Sequence, residues 1–252
     1  MPERTALPPH GPIRCRRCFT SDREIEEIAL WQVVNDPGAW GAQQPDILIL
    51  GFSKGFTQAN AYRTAPFEAV PFKGKVMRAR LTEVLRRIGV LNDSETIDPR
   101  FSAGEREFGF GSLVRCSLSR LNARGERECT GEVMPKAFTE PVQVVVRRCT
   151  QTYLANLPAT IRLVVMLGSG SPYIKGCKNL IRSLYGAEFR DINEVAYETP
   201  GALWVHVAHP SPGNGFFSRW MEGASSDASG IKLQRALEAI AKLDPPPRRK
   251  AA

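Results

Sequence analysis

The chain of 252 residues contains no run of 18 apolar residues, so no transmembrane helix is expected. Its opening stretch, MPERTALPPHGPIR, lacks the apolar segment that a secretory signal peptide needs. These two absences predict an intracellular, cytoplasmic protein with no membrane partner. No internal repeat is visible. The composition lacks the bias of a disordered or collagen-like chain, because 42% hydrophobic and 24% charged residues are ordinary for a folded protein. Six cysteines in a reducing compartment are not expected to form structural disulfides. They leave two alternatives, reduced thiols in the core or a metal site.

What is present begins with charge. Thirty-four Lys and Arg against 26 Asp and Glu give a formal net charge of +8, which suits a polyanionic partner such as a nucleic acid. The length predicts a single domain over residues 1–243, followed by a disordered basic tail at 244–252. Ser21 and Glu24 have capping-box spacing, and Ile25, Ile28, Ala29 and Trp31 to Val34 predict a helix that stops at Asp36-Pro37-Gly38. Four short apolar runs predict strands at 46–50, 110–118, 161–168 and 203–209. Helical spacing appears at 74–90, where Gly89 is the stop, at 141–157, and at 229–243. Arg78, Arg80, Arg86 and Arg87 fall mainly on the solvated side of the first of these. Strands alternating with helices predict a three-layer α/β/α sandwich around a mainly parallel four-stranded sheet. Ligands in such sheets bind beyond the carboxyl ends of the strands. The site is therefore expected to gather GFSKG at 51–55, the Ser112 to Cys116 region, Gly168 to Gly170, and HPSPGNG at 209–215.

Several of these segments carry a resemblance. HPSP after an apolar strand resembles the second motif of the uracil-DNA glycosylase superfamily. PFKGKVMRARLTEVLRRIGV at 71–90, VRC at 114–116, and CTQTYLANL at 149–157 leading into VVMLG are similar to stretches of its iron–sulfur branches, families four and five. The resemblance covers roughly residues 12–216. GFSKG stands where family four has Gly-Glu-Ala-Pro-Gly, so Phe52 takes the Glu position, Ser53 the Asn or Asp position of other branches, and Lys54 the Pro position. Ser112 matches the usual uracil-reading Asn.

The resemblance implies a glycosylase-like fold that flips a base out of DNA and hydrolyses its N-glycosidic bond, as in base excision repair. His209 would donate to the departing base as charge builds on it; the rival reading is a His that caps a loop. His206, inside the strand, is read as structural. Ser53 would orient the attacking water, and Gln58 or Asn60 further along that loop are alternatives. Gly51 and Phe52 would border the base. Phe72 would stack on it or pack in the core, with Phe67 as the fallback. Ser112 would hydrogen-bond the base edge, and a hydroxyl, which both donates and accepts, predicts relaxed choice among deaminated bases. Lys54 and the loop Pro210, Ser211, Pro212, Gly213 and Asn214 would meet DNA, with a solvated lysine and an ordinary surface turn as the rival readings.

Cys15, Cys18, Cys116 and Cys149 would bind a 4Fe-4S cluster, or alternatively Zn, and Cys129 is the competitor for the fourth place. The metal site would set Arg14, Arg16, Arg17 and Arg115 near phosphates. The implied partner is DNA, the protein a nucleoid-associated monomer. A second reading is an iron–sulfur protein of the same fold that binds damaged or abasic DNA with little or no catalysis. A third is an enzyme acting on free nucleosides or nucleotides.

Overall fold

The computed structural model describes residues 6–20 and 22–244; Ser21, and with it the proposed capping box, and the tail from 245 lie outside the described residues. Strands β1 (Gly11–Pro12), β2 (Ile25–Ile28), β3 (Trp31–Val34), β4 (Gly38–Gly41) and β5 (Ile47–Gly51) precede helix α1 (Phe56–Thr64). Helix α2 (Lys75–Arg87) is followed by β6 (Phe108–Ser112), β7 (Ser117–Leu121), β8 (Arg127–Glu128) and α3 (Gln143–Tyr153). The remainder is β9 (Leu163–Leu167), α4 (Ser171–Tyr185), β10 (Arg190–Asn193), β11 (Ala196–Thr199), β12 (Ala202–Val207), α5 (Phe217–Glu222) and α6 (Ala228–Ile240).

Four parallel strands in the order β6-β5-β9-β12 form the middle of an eight-stranded sheet. Antiparallel strands extend it on both sides, β4 and β1 beyond β6, and β11 and β10 beyond β12. The protein is thus an α/β sandwich with a largely parallel central sheet. Its central strands are buried on both faces, which is why ILIL and LVVML read as continuous apolar runs rather than alternating ones. Period two still sorts their side chains. Ile47, Ile49, Leu163, Val165, Leu203 and Val205 join one core with α2 and α6, while Leu48, Leu50, Val164, Met166 and Trp204 join the other with α3 and α4.

Two predicted elements fail instructively. Residues 25–34 form a β2–β3 hairpin, not a helix, with Ile28 opposite Trp31 and a two-residue turn in which Ala29 takes φ 52°. Their apolar spacing fits either period, and β-branched Val33 and Val34 beside Trp31 favour a pleated surface. The predicted strand at 110–118 is two strands. β6 ends at Ser112 in the large sheet, the chain crosses through buried Leu113 to Cys116, and β7 begins a second sheet of order β2-β3-β7-β8. The polar segment after 119 is the β7–β8 hairpin of that sheet.

Helix α2 ends as its sequence predicts, with Gly89 at φ 74° and the Val90 amide returning to the Leu85 carbonyl. Its arginines are not simply solvated. Arg78 donates to the Pro71 and Glu68 carbonyls, Arg80 to that of Ser211, Arg86 to that of Glu95 and Arg87 to that of Met221. Helix α6 starts at Asp227, whose carboxylate accepts from the amides of Ser229 and Gly230.

Candidate functional site

Chain order sets where a ligand fits. From β5 the chain moves to β6 on one side, then returns past β5 to β9 and β12 on the other. The reversal lies between β5 and β9, and the crevice at such a switch point is the usual ligand site of an open α/β sheet. In register, Gly51 is level with Ser112 and Leu167 with Val207. Only β9 stands between the ends of β5 and β12. At the normal strand spacing, the GFSKG and HPSP segments therefore leave the sheet about 10 Å apart.

His209 follows β12 by two residues and is half-buried. Its Nδ1 accepts the Ser211 backbone N–H at 3.2 Å, and its carbonyl accepts the Asn214 carboxamide at 2.8 Å. Enclosure of the ring pushes its pKa down to about 4. The imidazole is then neutral at physiological pH. With Nδ1 occupied as an acceptor, the proton sits on Nε2, and the ring presents one N–H donor. His206, fully buried three residues earlier, has the opposite tautomer. Its Nδ1 lies 3.0 Å from the Gly168 carbonyl, which can only accept, and burial also takes its pKa down to about 4.

The loop after His209 is built from its own hydrogen bonds. The Asn214 amide reaches the Ser211 carbonyl, the Gly213 amide the Ser211 hydroxyl, and the Phe216 amide the Asn214 side chain. Ser211 and Asn214 therefore spend their polar groups on shaping the turn, and Pro210 is buried beneath it. Pro212, Gly213 and Gly215 are exposed, and Phe216 is 57% exposed with the Arg219 guanidinium 4.8 Å from its ring. The sequence reading missed Phe216, whose position just past two Pro and two Gly was the available signal.

The β5 loop differs. At Gly51 an added Cβ would meet nothing within 4 Å, and its φ lies outside the left-handed region. Glycine is not needed there for backbone reasons; its missing side chain leaves the strand end open to a ligand. Phe52 is a correction to the expected base contact. Its ring is buried edge-on against Phe138 at 5.5 Å and Tyr173 at 6.1 Å, beneath the sheet end. Lys54 is a second correction, because its ammonium is buried and not presented to a phosphate. It is buried, donates to the Arg115 carbonyl, and pairs with Asp36 at 3.3 Å, which also accepts from the Ser117 amide and hydroxyl. Burial lowers the Lys54 pKa while Asp36 opposes the shift. Ser53 between them is half-buried, its hydroxyl 3.9 Å from the Met134 sulfur. Gln58 and Asn60 lie on α1, not in the loop.

Ser112 is buried and its hydroxyl donates to the Val114 carbonyl at 2.7 Å, leaving only lone pairs for a ligand. Phe72 sits in the core, 5.9 Å from Phe101 and 6.4 Å from Phe110, at φ 51°. For a bulky side chain this conformation costs about 1–3 kcal/mol, and such strain gathers at functional sites. Arg78 holds the preceding Pro71 carbonyl. Phe67, the fallback, is stacked on Trp40 at 4.7 Å.

Cys15, Cys18, Cys116 and Cys149 line one cavity of about 20 Å³ between the N-terminal segment, the sheet crossing and α3. Cys149 accepts the Arg115 amide at 3.2 Å. All six cysteines are free thiols. Cys129 lies elsewhere, its sulfur 3.6 Å from where a Gly55 Cβ would stand. Among the described residues, no three Cys, His, Asp or Glu side chains converge tightly enough to hold a single metal ion. Arg115 is a further correction. It is buried, with its guanidinium 5.3 Å from the Tyr153 ring and occupying the space a Gly111 side chain would need. Arg16 pairs with Glu24 at 3.0 Å, Arg17 donates to Thr152, and Arg14 is exposed. No helix among the described residues is long and apolar enough to cross a membrane.

No protein-family model matches the chain, and no curated protein does. Among solved structures it is similar to wild-type Pedobacter heparinus SMUG2, with 12% identity, a TM-score of 0.43, and coverage of 80% of this chain and 77% of that one.

Proposed function

We propose that this protein is a DNA glycosylase of the uracil-DNA glycosylase superfamily that excises uracil or a related deaminated base. The observation that carries the reading is His209, a neutral imidazole whose Nδ1 is occupied, offering Nε2–H at the carboxyl edge of a parallel sheet. A donor fixed in advance where negative charge develops lowers the barrier without reorganisation. In the reaction, the bond between C1′ and the base nitrogen breaks, and its electron pair leaves with the base. His209 donates a hydrogen bond to the base oxygen as that charge builds. Water bonds to C1′, and the proton it loses ends on the released base or in solvent. Ser53 orients the water through its hydroxyl and does not act as a base, since a serine hydroxyl has no accessible basic form near neutrality.

Ser112 sharpens the substrate class. Its committed proton leaves it an acceptor, matched by a base edge that carries a ring N–H. Deamination converts the ring-nitrogen acceptor of cytosine and adenine into such an N–H, in uracil and hypoxanthine respectively. Xanthine keeps one. The +8 charge and the exposed turn at 212–216 support DNA rather than a free nucleoside as substrate.

The four thiols that line one cavity suit a 4Fe-4S cluster, with Zn as the alternative. Four thiolates are the usual ligand set of either group. Cys15, Cys18, Cys116 and Cys149 would hold it, and it would cross-link the N-terminal segment to the sheet without entering the reaction. Absorbance at about 400 nm with bound iron supports this; colourless protein holding one zinc rejects the cluster. For the activity, uracil-, hypoxanthine- and xanthine-containing oligonucleotides are incubated with protein and treated with alkali, beside His209→Ala. Strand breaks at the base position support the reading. Salt-sensitive binding with no abasic product on any of the three overturns it in favour of a DNA-binding protein without catalysis.

A further inference from the structure

Among the described residues, polar groups outside the reaction include the Lys54–Asp36 pair, the His206–Tyr173–Tyr197 cluster and the arginines of α2. The last bears directly on His209. Arg80 Nη1 donates to the Ser211 carbonyl at 2.8 Å, and the same carbonyl accepts the Asn214 amide at 3.0 Å. Ser211 is therefore fixed at its carbonyl by two donors, and its own amide is the group on His209 Nδ1. The Arg80 guanidinium lies 4.4 Å from the ring of Phe217, which is buried at the start of α5. Seven residues on, Arg87 holds the Met221 carbonyl. Seven residues are two helical turns, so one stripe of α2 grips the chain from the turn after His209 to the end of α5.

We infer that Arg80 is a positioning residue for His209: by clamping the Ser211 carbonyl it fixes the backbone torsions of that residue, keeps its amide on Nδ1 and so keeps the proton on Nε2. The chemistry requires this. The two neutral tautomers of an imidazole are close in energy, and the hydrogen bond at one nitrogen decides which is present. Without the clamp, the exposed turn can rotate the Ser211 amide away, and the ring then spends part of its time with a bare Nε2 that cannot donate. A planar guanidinium suits the task because it donates along its edge while its face rests on Phe217; an ammonium offers the charge without the face.

The inference rests on the glycosylase reading for its kinetic consequence, but not for its structural one. With three histidines in the chain, side-chain ¹⁵N resonances are readily assigned. Wild type, Arg80→Gln, Arg80→Lys and Arg87→Gln are compared by ¹⁵N NMR of His209, with amide dispersion as the check on folding. The expected result is Nε2–H in wild type and Arg87→Gln, a tautomer mixture in Arg80→Gln, and partial recovery in Arg80→Lys. In turnover, Arg80→Gln lowers kcat by about 10- to 100-fold with KM little changed, the scale of a misplaced catalytic group. A folded Arg80→Gln whose His209 tautomer matches wild type overturns the inference, as does an equal shift in Arg87→Gln. If Arg80→Gln does not fold, Arg80→Lys carries the test, and wild-type ¹⁵N shifts in it overturn the inference. If the tautomer moves as expected while wild type cleaves no deaminated base, the positioning role stands and the glycosylase reading fails.

Discussion

The loops that leave β5 and β12 occupy equivalent places at the carboxyl edge of one sheet, yet they are built in opposite ways. The β5 loop turns its large side chains inward. Phe52 fills the core and Lys54 is buried against Asp36, which leaves the half-buried Ser53 and the space beside Gly51, where an added Cβ would meet nothing. The β12 loop does the reverse. Its polar groups bond within the turn, and it holds a ring with a defined donor near the surface. One loop supplies an open floor and the other an active group. A site of this kind needs a single strong donor and room beside it, not two sets of reactive side chains.

The comparison can be broken most forcefully at Lys54. Lys54→Met leaves Asp36 charged and buried, and unfolding experiments should show a loss of about 3–5 kcal/mol. A loss below 1 kcal/mol would mean that the β5 loop is not anchored as described. Next in size, His209→Ala should cut the rate of base release by about 100- to 1,000-fold while leaving the melting temperature near that of wild type. Comparable damage from both variants in both assays would erase the division of labour.

Acid should act through the β12 side. His206 and His209 are each held down to about 4, whereas an unfolded histidine takes up its proton at about 6.5. Between these values the unfolded chain binds more protons, so stability is whole above about pH 6.5 and is lost as pH falls toward 4. Melting curves over this window should slope less steeply for His209→Gln than for wild type. Activity should hold steady through neutrality instead of requiring a protonated histidine. The smallest effect is expected at Ser53→Ala, a loss of less than about 10-fold, because the hydroxyl only orients water and has a weak sulfur contact.

How much of this was legible in the sequence follows from what sequence patterns measure. The apolar runs of β5, β9 and β12 and the spacing of α2, α3 and α6 report burial, and those elements stand where expected. Residues 25–34 did not, because seven apolar positions in ten satisfy two periods at once. The positions of Gly51 and His209 at strand ends were readable from the strands alone, whereas Ser112 fell inside the predicted strand at 110–118 and ends β6 only in the structure. The partners of Lys54, Arg80 and Arg115 were not. A positive charge in a sequence reads as a solvated one, and only tertiary structure reveals the carboxylate, carbonyl or ring that takes it out of water. Helix α4 received no bounds, although Pro172 stands in its first turn.

The outer strands carry a consequence for the behaviour of the protein in solution. At one border of the large sheet, β1 is two residues long and includes Pro12; at the other, β10 bears Arg190 and Asp191 and slips register before Asn193. The small sheet is bordered by β2, with Glu26 and Glu27, and by β8, which is Arg127 and Glu128 alone. Each border is short, charged, kinked or proline-bearing, and such rims resist ribbon-to-ribbon growth and fibril seeding.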